Sequence, residues 1–148
     1  MILFGDKTVA LFDLWSLEHF FTGCNSAALI GFFYHKFSKE KNADTLFVLQ
    51  AMTLAILELY WESLEFYLEA GYSYDIVTYW FQGVEYTGNR LITDPLVTVA
   101  GLFFIRYFPK IKWIAAPFSL IWLYLHLVVY DNCMALQDLY FNYTIKLF

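Results

Sequence analysis

The stretch LFVLQAMTLAILELYWESLEFYLEA, residues 46–70, is apolar enough for lipid yet carries four carboxylates, Glu58, Glu62, Glu65 and Glu69. Steps of four, three and four residues put all four on one helical face, within an arc of roughly 60° and over about 16 Å of rise. A helix on an aqueous surface gains nothing from apolar residues on its remaining faces. One in lipid tolerates such a stripe only where something answers its charge. The stretch therefore predicts a membrane-crossing helix whose acidic face looks into a protein interior.

Composition extends this reading to the whole chain. Of 148 residues, 60% are hydrophobic and 16% charged, with mean hydropathy +0.51, which places the chain with integral membrane proteins and predicts one all-α domain over residues 1–148. Aromatics reach 22%, as suits interfacial belts. A net charge of −5 with no basic stripe excludes nucleic acid as a partner and also a polybasic clamp on anionic lipid. The start, Met1 to Lys7, has no basic leader and no clear cleavage site, so the first span is expected to supply targeting. Cys24 and Cys133 read as two free thiols, and Asn142-Tyr143-Thr144 matches a glycosylation acceptor of low information.

Four transmembrane helices of a bundle are predicted, at about 14–34, 45–69, 95–108 and 114–130. Asp94 and Pro95 read as the cap and first turn of the third. Lys36, Lys39 and Lys41 follow the first span; Arg106, Lys110 and Lys112 follow the third. Basic short loops stay in the cytoplasm, so both termini and the aromatic connector 70–92 are expected on the other side of what would be the inner membrane in a bacterium. A short interfacial helix is expected near Tyr74 to Phe81, and another in the tail from Leu136.

That orientation turns scattered polar residues into a cluster. Glu18 and His19 fall in the outer turns of the first span, Glu58, Glu62 and Glu65 in the outer half of the second, Asn89, Arg90 and Asp94 at the mouth of the third, and His126 near the outer end of the fourth. Carboxylates grouped at this depth must be protonated, paired or bound to a cation. His19, Glu58, Glu62, Glu65, Asp94 and His126 are the candidate metal ligands, a donor set suited to zinc, iron or manganese. Glu62 and Glu65 are the candidate catalytic carboxylates, and Asn89 and Arg90 the candidate substrate-binding pair. Simpler roles stand beside these. Glu69 reads as a solvated helix-end residue, Asp94 as a cap, His126 as a core histidine, and the His19, Thr22, Gly23, Ser26 stripe as a packing seam.

The combination of His19 and Gly23, Trp61-Glu62 and Glu65, Gln82-Gly83, and Asp94 with Gly101 resembles the pattern of small VanZ-like and YjdF-like bacterial membrane proteins over about residues 15–105. Thr98 stands where that pattern has an Asn. The resemblance implies an envelope location and an outward polar site, with links to glycopeptide-antibiotic phenotypes, rather than a particular reaction.

Two functions compete on these observations. One is an intramembrane enzyme or binding protein whose outward Glu/His/Asp site holds a divalent metal and acts on a lipid-linked substrate. The other is a non-catalytic accessory subunit, packed in a larger membrane complex or a homo-oligomer that answers the acid from neighbouring chains. Ion movement along the Glu58 to Glu69 stripe ranks third, because the cytoplasmic half lacks comparable acid.

Overall fold

The computed structural model describes residues 2–40 and 42–145, with side chains to Tyr140, so Lys41 and the side chain of Asn142 lie outside the described residues. Two three-residue strands, β1 (Ile2–Phe4) and β2 (Ala10–Phe12), precede the helices α1 (Leu14–Phe37), α2 (Ala43–Glu69), α3 (Asp75–Phe81), α4 (Asp94–Tyr107), α5 (Lys112–Tyr124) and α6 (Ala135–Ile145). A π turn, Asn89–Thr93, leads into α4, and a second, Leu125–Val129, continues α5. The architecture is all-α apart from the strand pair, which periodicity did not predict. β1 and β2 run parallel, Ile2 opposite Ala10 and Phe4 opposite Phe12. Parallel neighbours normally need a long crossover; here a tight turn, in which Val9 and Ala10 N–H both donate to the Asp6 carbonyl, does the work.

Local chemistry sets the helix ends. Asp13 caps α1 by accepting from Ser16 N–H at 2.9 Å, and the Ser16 hydroxyl accepts in return from the Asp13 N–H. Asn42 caps α2 by accepting from the Asp44 and Thr45 amides. Gln82 and Gly83, at φ 57° and 115°, take the left-handed turn that ends α3. Asp94 is not the cap its context suggested. The chain is already helical at Thr93 (φ −70°, ψ −53°), because helix begins upstream in the π turn. That wider turn shifts the helical phase so that Asn89, Arg90, Thr93, Asp94 and Thr98 are all buried.

α1 is the hub, packed against α2, α4 and α5. It meets α4 most closely where glycines face each other: a Cβ on Gly23 would lie 2.9 Å from Thr98 Cα, and one on Gly101 2.8 Å from Cys24 N. Ala27, Leu54 and Leu102 form a small apolar core below that crossing. Both cysteines are free and buried. Ala43–Glu69 and the continuous segment Pro109–Val129 are long and apolar enough to cross a membrane. α1 is long but carries Glu18, His19 and Asn25, and α4 alone has 14 residues.

Candidate functional site

Because α1 and α2 are joined by a short turn, the start of α1, the end of α2 and the start of α4 come together at one end of the bundle. The basic residues Lys36, Lys39, Arg106 and Lys110 lie at the other, where Arg106 pairs with Asp44 in an exposed bridge of 2.9 Å. The polar end is built around His19. Its Nδ1 meets Glu58 Oε1 at 2.9 Å and lies 3.9 Å from Glu62 Oε1, while its Nε2 lies 3.5 Å from Asp94 Oδ2. Thr98 donates its hydroxyl to Glu58 at 2.8 Å, and Ser16 donates to Asp94 at 3.0 Å.

A second cluster surrounds Glu69. Lys7 reaches in from the turn between the strands to Glu69 Oε1 at 2.6 Å. Arg90 and the Glu85 N–H both donate to Glu69 Oε2. Glu69 is 2% exposed, which corrects the expectation of a solvated helix-end residue: the strand pair folds over the helix end and brings Lys7 with it. Glu62 lies between the two clusters, with Oε2 3.7 Å from Arg90 Nε. Both oxygens of Glu62 are buried, and neither accepts a hydrogen bond from any of the described residues.

At the rim, Asn89 donates to Glu85 at 2.7 Å and, at 3.4 Å, to Asp13. Burial pushes the Glu85 carboxyl up to about 10, helped by the nearby Asp94, Glu65 and Glu62 carboxylates. Arg90, 3.6 Å away, does not reverse this because Glu69 already engages it. Burial likewise raises Asp13 to about 6, with Asp94 adding to the rise and the Ser16 amide opposing it. The neutral acid is thus the resting form of Glu85 at neutral pH.

His19, Glu58 and Glu62 each offer one ligand atom, and these three atoms lie within 4.8 Å of one another. A nitrogen and carboxylate oxygens are a donor set for a divalent first-row metal. Asp94 stands on the far ring nitrogen of His19, where a carboxylate fixes the tautomer of a metal-binding imidazole. Among the described residues, seven carboxylates are buried, Asp13, Glu18, Glu85 and Asp94 besides Glu58, Glu62 and Glu69, against only Lys7, Arg90 and His19 in the same region. That excess leaves room for protons or a cation.

The remaining sequence candidates fall elsewhere. Glu65 is half-buried and lines an adjoining cavity of about 480 Å³. Asn89 and Arg90 are buried and engaged by carboxylates, so neither presents a free headgroup contact. His126 lies apart, between the rings of Trp15 and Trp122, with Nδ1 2.9 Å from the Trp122 carbonyl. Ser16, Thr98, Glu85 and above all Lys7 were not anticipated as partners. Lys7 had a signal: with Arg90, it is one of the few basic residues outside the two basic loops and the tail. The chain matches no protein-family model, no curated protein and no solved structure.

Proposed function

We propose that the chain is a polytopic membrane protein, with α1, α2, α4 and α5 crossing the bilayer, that binds a divalent metal through His19, Glu58 and Glu62 in its outward half and acts there on a lipid-linked substrate. Support for the membrane comes from an inverted distribution of side chains. Phe32, Ile56, Leu120 and Val128 are 57%, 64%, 69% and 65% exposed, while the interior holds carboxylates, an arginine and a histidine. Water would not tolerate so extensive an apolar surface, whereas lipid would. With its π turn, α4 extends from Asn89 to Tyr107, about 28 Å at ordinary helical rise and enough for hydrocarbon. The basic end then faces the cytoplasm.

The single observation that carries the metal is Glu62, a buried carboxylate with no hydrogen bond to either oxygen, 3.9 Å from the nitrogen that already meets Glu58. Arg90 Nε stands 3.7 Å from one Glu62 oxygen without bonding it; leaving a buried carboxylate without hydrogen bonds is costly, and a divalent ion between the three ligands answers it. Held by His19, Glu58 and Glu62, a divalent ion would supply Lewis-acid polarisation and a more acidic water, and Glu65, which lines the same cavity as His19 and Glu58, would serve as general base. The VanZ-like resemblance is part of the proposal, since Glu62 and Asp94 are among the residues that carry it.

Elemental analysis of the protein in nanodiscs, after incubation with zinc, manganese or ferrous iron and desalting, tests the centre. One metal per chain is expected, lost in Glu58→Gln with Glu62→Gln while helical content is kept. A wild-type protein of native helical content that retains none of the three metals refutes it, and stable co-purification with other chains at fixed ratio would favour the accessory-subunit reading.

A further inference from the structure

The cavity beside the centre has α1 as its floor, with Trp15, Glu18, His19, Thr22 and Ser26 along it, and is walled by α2 through Leu54, Leu57, Trp61 and Glu65 and by α5 through Leu123 and Leu127. From Trp15 to Ser26 it runs about 16 Å down α1. Its edges are open. Leu57 and Trp61 on one side, and Leu123 and Leu127 on the other, line the cavity and are each 42–55% exposed. The gap between α2 and α5 therefore opens onto the flank of the bundle, which in a bilayer is lipid rather than water.

The polar groups along this slot favour one kind of head group. Its cations and one hydroxyl are already paired with carboxylates: Lys7 with Glu69 at 2.6 Å, His19 with Glu58 at 2.9 Å and Thr22 with Glu18 at 2.6 Å, which leaves Ser26 and Trp61 as neutral donors along the wall. Its acceptors are in surplus. Thr22 uses one oxygen of Glu18, and no donor among the described residues reaches Glu65. A phosphate entering here would meet carboxylates whose neighbouring cations, Lys7 and His19, are already paired with other carboxylates, whereas an amine or a hydroxyl would donate to the oxygens left over. Resting on the metal-centre reading, we propose that the substrate is a single-chain amphiphile whose head group donates hydrogen bonds, an amine or hydroxyl rather than a phosphate, admitted sideways between α2 and α5 with its head at Glu18 and Glu65.

The protein in phosphatidylcholine nanodiscs is incubated with dodecylamine, dodecanol or dodecyl phosphate, and bound amphiphile is counted by native mass spectrometry beside metal content. One saturable adduct is expected with the amine and the alcohol, at least tenfold tighter than with the phosphate. Glu18→Gln with Glu65→Gln should erase the amine's advantage and leave metal content unchanged, since neither is a metal ligand. Leu123→Trp, which narrows the slot from the side facing lipid, should weaken binding of all three. Phosphate bound as tightly as the amine, no saturable adduct, or binding indifferent to Leu123→Trp overturns the proposal. A protein that keeps the amine preference but takes no metal overturns the metal centre alone, so the two failures are distinguishable.

Discussion

Gly23→Ala adds a single methyl group on the seam between α1 and α4, yet it should disturb the centre more than a step away. The new Cβ would collide first with the Thr98 carbonyl oxygen and lie 2.8 Å from its carbon, where ordinary contact begins at 3.4 Å, and the obstacle is backbone on both sides. The helices must therefore part by about 1 Å, and overpacking of this kind costs roughly 1–3 kcal/mol. Thr98 moves with α4, so its 2.8 Å bond to Glu58 stretches to roughly 3.8 Å, and the 3.5 Å approach of Asp94 to His19 opens further. A weakened hydrogen bond to a charged group adds about 1.5–3 kcal/mol. The sum lowers the unfolding midpoint on the order of 10 °C, and loss of the carboxylate behind His19 weakens metal binding about 10–100-fold. Thermal unfolding in nanodiscs and metal titration of the same sample read both effects. Gly31→Ala is the control: its Cβ meets only the flexible end of Gln50, at 2.7 Å, and should cost about 1 kcal/mol, chiefly through the Gln50 bond to the Ala27 carbonyl. A Gly23→Ala protein that melts and binds metal like wild type would refute the reasoning.

Three further outcomes are expected. Lys7→Met removes one partner of a buried pair and should destabilise by about 3 kcal/mol, whereas Arg106→Met, at an exposed pair, should cost under about 1 kcal/mol; equal effects in chemical unfolding would deny the buried clasp. The pH dependence is the reverse of the usual carboxylate case. Asp13 and Glu85 have folded pKa values of about 6 and about 10, above their ordinary 3.8 and 4.5, so the folded state holds more protons between those limits. Their contribution is full below about pH 4 and is lost as pH rises, first through the window of Asp13 and then that of Glu85. Midpoints measured from pH 5 to 9 should fall, and Glu85→Gln should flatten the slope; an unchanged slope would remove Glu85 from the account. Burial also pushes the Cys133 thiol up to about 12, and its Sγ donates to the Phe81 carbonyl at 2.9 Å, so maleimide at pH 8 should label it only after unfolding.

The polar end of the bundle was legible where periodicity and orientation spoke together. The α2 face and the outer turns of α1 gave His19, Glu58 and Glu62, because four-and-three spacing fixes a face and basic loops fix a direction. Asp94 was legible as a residue but not in its role. The sequence Thr93-Asp94-Pro95 looks like a helix start, and nothing in it announces the five-residue π turn that ends at Thr93. Lys7 and Glu69 escaped for a different reason: their pairing spans 62 residues and depends on a strand pair of three residues each, too short for any alternation to register. His126 was ambiguous from sequence because an isolated histidine on an apolar helix does not reveal which neighbour its ring will meet.

The order in which the acidic face finds its partners has a consequence for biosynthesis. When α2 leaves the ribosome, Lys7 has already been made, but Arg90 and Thr98, which donate to Glu69 and Glu58, have not. Until the chain extends at least 21 residues past Glu69, the nascent α1–α2 hairpin carries its row of carboxylates with a single ammonium and one imidazole to balance them. The turn between β1 and β2 thus acts as a provisional counterweight during assembly, and the π turn before α4 later adds a second cation, Arg90, on the same Glu69.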